Sequence, residues 1–349
     1  MKFKKMKTMF GAAAIGMLLC TGCSGSEQVN YTDNGMSAVE NLEYEEALAY
    51  FNQALESRED ERLIYRGMGI AYMGLTRYED AIAYLEKALQ LNNGRPEAMD
   101  YDINYYLAAA YYRNGQADAA LRSYDAILAL RPKEEEAYYL RGCVKLYGGD
   151  YEAAKADFDT ALSLNTNSYD RMIQIYLVLT DSGYREMGRE YLEQTVAENN
   201  SISDFDLGRI YYYLEDYENA KICFSKLRTA DNYEAALYLG RTYEALGDYN
   251  YASSIYGDYV ENDQSKAEIY NQLGLCWMQL GEYEMALSSF QSGMSIEGNG
   301  IMQTLKFNEV VAYEYMEEYK TAATLMNDYL KLYPDDEAAV REYRFLKTR

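Results

Sequence analysis

Tyr270–Phe290, YNQLGLCWMQLGEYEMALSSF, reads as two short helices folded back on each other. Leu273, Gly274 and Trp277 share one face of the first helix, because residues three and four apart lie above one another on an α-helix. Gly281 supplies the stop, and Tyr283, Ala286, Leu287 and Phe290 line a face of the second helix. Gly274 and Ala286 are small residues twelve apart, placed where the two backbones would cross closely.

The unit is repeated. With the small residue of the second helix as a register mark, the pattern recurs at Ala47, Ala81, Ala120, Ala154, Gly188, Ala220, Ala252, Ala286 and Ala322, at intervals of 32 to 39 residues and most often 34. Twelve before the mark stand Gly35, Gly69, Ala108, Gly142, Tyr176, Gly208, Gly240, Gly274 and Val310. Four after it stand Phe51, Leu85, Tyr124, Phe158, Leu192, Phe224, Tyr256, Phe290 and Met326. A helix–turn–helix period near 34 resembles the tetratricopeptide repeat, over about Val29 to Asp336. The fold expected is all-α: a right-handed α-solenoid of about nine such repeats with a C-terminal capping helix. The boundaries are a leader at 1–22, a tether at 23–28, the repeats at 29–336 and the cap at 337–349.

Particular units depart from the pattern. Tyr176 and Gly188 invert the usual sizes in the fifth, so a splayed helix pair is expected there. Five extra residues between the second and third marks fall in LNNGRPEAMDYD, whose Asn, Gly and Pro suit a longer loop. Gly115, Gly149, Gly183, Gly247 and Gly281 stand five before the mark, where a left-handed residue ends the first helix. DDEAAVREYRFLKTR, after Pro334, reads as the polar helix that covers the last repeat's apolar edge.

MKFKKMKTMFGAAAIGMLLCTGC has four lysines followed by an apolar run from Met9 to Leu19, the pattern of a secretion signal. Leu19-Cys20-Thr21-Gly22-Cys23 resembles the lipobox of bacterial lipoproteins, although Cys20 stands where leucine is usual. That resemblance implies diacylation of Cys23 and a lipid anchor on the extracytoplasmic side of a bacterial envelope. Two acyl chains suffice for stable attachment. Cys143, Cys223 and Cys276 fall in the fourth, sixth and eighth units, too far apart to bond to one another, and read as small apolar residues.

Composition narrows the function. Net charge is −23, and −27 without the first 22 residues, which disfavours nucleic acid and anionic lipid as electrostatic partners. The chain has no histidine, no GxxxxGK[ST] and no GxGxxG loop. We therefore expect no enzyme, no cofactor and no metal. The tetratricopeptide resemblance implies a partner-binding groove built from first helices, in columns fifteen, eleven, eight and seven before the mark. Those columns give Tyr105, Tyr112, Arg113, Tyr139, Tyr147, Phe205, Arg209, Tyr212 and Arg241, centred on repeats three to six. Tyrosine and arginine anchor interfaces well. The 40 tyrosines are equally explained as amphipathic filler, and many occupy packing columns. Trp277 shares one such column with Tyr72, Tyr111, Tyr211, Tyr243 and Tyr313, and is expected to be mostly buried. The leading expectation is a lipid-anchored, extracytoplasmic scaffold that binds a protein or peptide in its groove, in envelope assembly or secretion. The alternative is a surface lipoprotein that captures a glycan or other ligand on the same aromatic residues.

Overall fold

The computed structural model describes residues 30–198, 201–227, 229 and 231–349, so the leader, the Cys23 anchor and the tether lie outside the described residues. The remainder forms nineteen helices and no strand among the described residues, an all-α repeat solenoid. It divides into two compact units, with the boundary after Ala137.

The first unit holds three helix pairs: α1 (Tyr31–Glu40) with α2 (Tyr44–Glu56), α3 (Glu61–Gly74) with α4 (Tyr78–Gln90), and α5 (Ala98–Arg113) with α6 (Ala117–Leu130). The second holds six more. They are α7 (Glu135–Tyr147, its first turn falling before the boundary) with α8 (Tyr151–Leu164), α9 (Tyr169–Asp181) with α10 (Arg185–Glu198), and α11 (Asp204–Tyr213) with α12 (Tyr217–Phe224). Then come α13 (Tyr233–Ala245) with α14 (Tyr249–Asn262), α15 (Ala267–Leu280) with α16 (Tyr283–Met294), and α17 (Met302–Tyr315) with α18 (Tyr319–Leu332). The capping helix α19 (Glu337–Leu346) follows as expected.

The repeat register is the packing register. All eight alanines at the mark are fully buried, as are Phe51, Leu85, Phe158, Leu192, Phe224, Tyr256, Phe290 and Met326 four residues later. The residue twelve before the mark is glycine because the later side chain lies across it. A Cβ on Gly142 would sit 2.7 Å from Phe158 Cε1 and 3.2 Å from the Ala154 carbonyl; one on Gly208 would sit 2.7 Å from Phe224 Cε1. The missing methyl is thus the space that the ring fills.

Each first helix ends in a left-handed residue five before the mark. At Gly281, φ is 78°, and the next amide, Glu282 N–H, donates to the Trp277 carbonyl at 2.9 Å. Leu42, Thr76, Glu215 and Glu317 hold the same place with φ of 61–64°, although they carry a Cβ. The turn is therefore imposed by the pair of helices even where the residue resists it, at a local cost of ~1–2 kcal/mol each.

Asp100, 6% exposed, organises the inserted loop of the first unit. Its carboxylate pairs with Arg62 of α3 and accepts from Asn92 Nδ2 and, at 2.7 Å, from the Glu97 backbone N–H. Asp157 plays the corresponding part between α7 and α8, bound by Arg141 at 2.6 and 2.9 Å and by Lys145 at 2.7 Å.

Two expectations need correction. The fifth pair does not splay: Tyr176 is buried, and Gly188 lets the α9 and α10 backbones approach so closely that a Cβ would lie 3.2 Å from the Tyr176 carbonyl. The two sizes have exchanged places and the close crossing survives. The sixth pair holds a short second helix, α12, of 8 residues. Trp277 is half-buried rather than mostly buried, and packs against two neighbouring core clusters.

At the C-terminal end, Ala339 and Leu346 of α19 are buried with Val310, Met326 and Tyr329. Glu314 of α17 faces Glu342 of α19, and burial, reinforced by that neighbouring carboxylate, pushes its carboxyl up to about 7.

Replacing Gly142 with alanine is expected to lower stability by about 1–3 kcal/mol, as overpacking does. In a Phe158→Leu background the penalty of the added methyl should shrink, as read by thermal unfolding of the four chains in a double-mutant cycle. The raised Glu314 carboxyl gives a second expectation. Its contribution to stability is complete below the ordinary carboxyl range and is lost as pH rises through about 7. Glu314→Gln should therefore raise stability at pH 8 by ~1 kcal/mol once solvent screening of this half-buried group is allowed for, read as a higher unfolding temperature, and leave it unchanged at pH 4.

Candidate partner-binding groove

All nine candidate groove residues lie on first helices. In the first unit, Tyr105, Tyr112 and Arg113 lie on α5 and are all half-buried. Tyr105 meets Tyr124 edge-on at 6.3 Å, and its hydroxyl lies beside Glu134, where burial and then the acidic neighbours raise its pKa. Arg66 of α3 pairs with Asp102 and lies over the Tyr106 ring.

The second unit holds the other six candidates. Tyr139 is 3% exposed, with its ring 6.0 Å from Phe158 and the Arg171 guanidinium 4.0 Å above it, so it serves the core of the fourth repeat. Tyr147, near the end of the same helix, is exposed.

Phe205, Arg209 and Tyr212 of α11 come together with Tyr238 of α13. Phe205 and Tyr212 each meet the Tyr238 ring edge-on, at 6.0 and 5.6 Å. Arg209 lies over both Phe205 and Tyr238 and pairs with Asp170 of α9 at 2.6 Å. Its charge is paired within the fold, although its buried Nε has no hydrogen-bond partner among the described residues, and the side chain ties α9, α11 and α13 together.

Arg241 differs. It is half-buried on α13, one turn before Glu244, yet it makes no ion pair and no hydrogen bond among the described residues. It opens onto a cavity of about 450 Å³ lined from α11, α13, α14 and α15 by Tyr212, Arg241, Glu244, Ala245, Tyr249, Gln272, Leu275, Cys276 and Gln279. That volume is within the ~300–1,000 Å³ range of small-ligand sites.

Glu244, also in the cavity lining, is held by side chains of α14 and α15. Tyr256 occupies the packing column where the second, fourth, sixth or eighth repeat has Leu or Phe, and its ring passes under Gly240. Its hydroxyl reaches Glu244 Oε1 at 2.5 Å. The Cys276 thiol approaches the same oxygen at 3.8 Å, and Gln272 Nε2 approaches both carboxylate oxygens at 3.4 Å. Burial, and then the charge of Glu244, raises the pKa of both the Tyr256 hydroxyl and the Cys276 thiol, so both stay protonated as donors. Cys143, Cys223 and Cys276 are all free and buried.

Column arithmetic thus brings Tyr212 and Arg241 into one cavity, at repeats six to eight. It passed over Gln272, which lies outside the transferred columns, and the Tyr256 hydroxyl, which belongs to a packing column. The signal available was a tyrosine at a place that holds phenylalanine in four other repeats. No helix among the described residues is long and apolar enough to cross a membrane.

Three family models, each described as tetratricopeptide repeat, match this chain: one over residues 72–142, one over 32–96 and 205–252, and one over 135–168 and 267–299. Similar solved structures include a tetratricopeptide repeat protein from Parabacteroides merdae, at 16% identity over 81% of this chain and 97% of that one, with a TM-score of 0.45. Yeast Tom70 is 14% identical over 91% of this chain and 87% of its own, with a TM-score of 0.47. YrrB, described as a tetratricopeptide protein with an unusual peptide-binding site, is 18% identical over 63% of this chain and 97% of its own, at 0.36. Tetratricopeptide repeats are thus recognised over residues 32–168, 205–252 and 267–299.

Proposed function

We propose that this chain is a non-catalytic scaffold that holds a protein or peptide partner against the first helices of its repeats. The observation that supports this reading most directly is the α11–α13–α15 cavity. There an aromatic wall, an unpaired guanidinium and exposed Leu275 face solvent together. Aromatic and arginine anchors beside a recess are the features that concentrate binding energy at interfaces. The repeat architecture alone would not assign a partner, since one fold hosts many functions.

We further propose that the partner is held at a bacterial envelope, with the chain anchored through acylated Cys23 on the extracytoplasmic side. The lysine-led apolar run and Thr21-Gly22-Cys23 support that placement. A scaffold of this kind would serve envelope assembly or secretion.

A photo-crosslinking amino acid at position 275, on the first-helix face, should give a defined protein adduct in native membranes. The same group at position 285, exposed on a second helix, should not. Equal adducts at both positions, or recovery of glycan without protein at 275, would contradict the reading. Separately, Cys23→Ala should move the chain from the membrane to the soluble fraction, and retention in the membrane would count against the anchor.

A further inference from the structure

We propose that α19 is a pH-gated cap, seated firmly on the α17–α18 pair in mildly acidic surroundings and loosened from it as the medium passes neutrality. The gate does not rest on the groove reading; it lies in how the last helix is held.

The seat has an apolar centre and two polar margins of opposite character. At the centre, Ala339 and Leu346 are buried with Val310, Met326 and Tyr329. One margin is satisfied. Asp336 caps α19 by accepting from the Ala338 and Ala339 N–H groups at 3.0 and 3.1 Å, and it accepts from the Tyr329 hydroxyl of α18 at 2.6 Å. Gln303 of α17 donates to the Tyr329 oxygen at 3.0 Å, and Tyr343 of α19 donates to Asn327 Oδ1 of α18 at 3.0 Å. The Tyr329 bond, more than any other contact, holds the Asp336 carboxyl below its ordinary range, so this margin works with Asp336 ionised.

The other margin sets acid against acid. Glu314 of α17 faces Glu342 of α19, and Glu314 Oε1 is buried without a hydrogen-bond partner among the described residues. The surrounding cations are engaged elsewhere. Lys331 pairs with Asp328, Arg341 lies beside Glu337, Lys347 lies over Tyr343, and Arg349 lies over Tyr319 and Phe345. From α16, Gln291 is bonded to Glu309. Lys306, Lys320 and Arg344 do not shift the Glu314 carboxyl, which leaves Glu342 as the ionisable neighbour acting on it from these helices. Two carboxylates in one half-buried site repel unless one takes up a proton. A single proton lets the pair bond to each other; its loss turns the same contact into repulsion across the seat.

The direction follows from linkage. Burial, and then Glu342, lifts the seated Glu314 carboxyl to about 7, and release of α19 returns it toward the ordinary carboxyl range. Seating therefore holds a proton that release gives up. This contribution is complete below the ordinary range, is lost as pH rises to about 7, and changes no further above it. Asp336 acts in the reverse sense, contributing above the ordinary carboxyl range and failing only in acid. The seat is tightest where Asp336 is ionised and Glu314 still protonated. Because α19 buries only Ala339 and Leu346, it opens locally while the repeats stay folded, and its opening uncovers Val310, Met326 and Tyr329.

Hydrogen exchange on the chain from residue 23 onward, with Cys23→Ser, reads the gate. Protection factors, in which the intrinsic pH dependence of exchange cancels, are compared for α19 and α15. Protection of α19 should fall about fivefold from pH 5 to pH 8, and then level off, while α15 stays constant. Glu314→Gln should hold α19 at its pH 5 protection throughout. Glu314→Asp, which keeps a carboxyl, should keep a step, and Glu342→Gln should shrink it. Glu337→Gln, which removes an exposed acid of the same helix, should leave the step intact. A flat wild-type profile, an undiminished step in Glu314→Gln, or loss of protection in α15 together with α19 would overturn the gate.

Discussion

Most of this structure depends on the contact between a glycine in the first helix of a repeat and a large side chain sixteen residues later in the second. Gly35 with Phe51, Gly69 with Leu85, Gly142 with Phe158, Gly208 with Phe224, Gly240 with Tyr256 and Gly274 with Phe290 are the same contact six times. No methyl fits between them. Close crossing lets the alanine at the register mark be fully buried, and the left-handed turn residue follows from the short path left between the helices. In the fifth repeat the large residue has moved to the first helix, and Gly188 has taken the small role in the second. The constraint is on the summed volume at the crossing, not on which helix supplies it.

That packing scheme also sorts side chains by role. Second helices give the large residue four after the mark to the core, while Met187, Ile222, Tyr251 and Met285 stay exposed on them. First helices share theirs between the core and the outward face, so Tyr139 can be buried while Tyr147, two turns on, is exposed. Around Arg241 the two roles touch. Tyr256 belongs to the core column, yet its hydroxyl donates to Glu244 of the cavity lining, so one core position reaches a surface site.

The architecture was legible in the sequence because its signals are additive. Nine weak units in phase fix a register that no single unit could, and the buried columns follow from it. Arg241 and Tyr212 were legible for the same reason, as positions in that register. What escaped was whatever depends on a partner far along the chain. Asp100 reads as an acid in a polar loop until Arg62 is placed beside it, 38 residues earlier. The left-handed turns at Leu42, Thr76, Glu215 and Glu317 are hidden because their residues do not favour that backbone. Arg209 and Arg241 look alike in their column, and only the position of Asp170 tells the satisfied cation from the open one. Tyr139 matched a groove column, but its ring turned to Phe158.

The central claim is that partners are held by first helices. Hydrogen exchange on the chain crosslinked at position 275 to its captured partner, against the free chain, tests it most directly, since local openings of each helix report what covers it. Slowed exchange confined to α11, α13 and α15, with α12, α14 and α16 unchanged, is the result predicted. Protection centred on the second helices, or none beyond the crosslink itself, would contradict it.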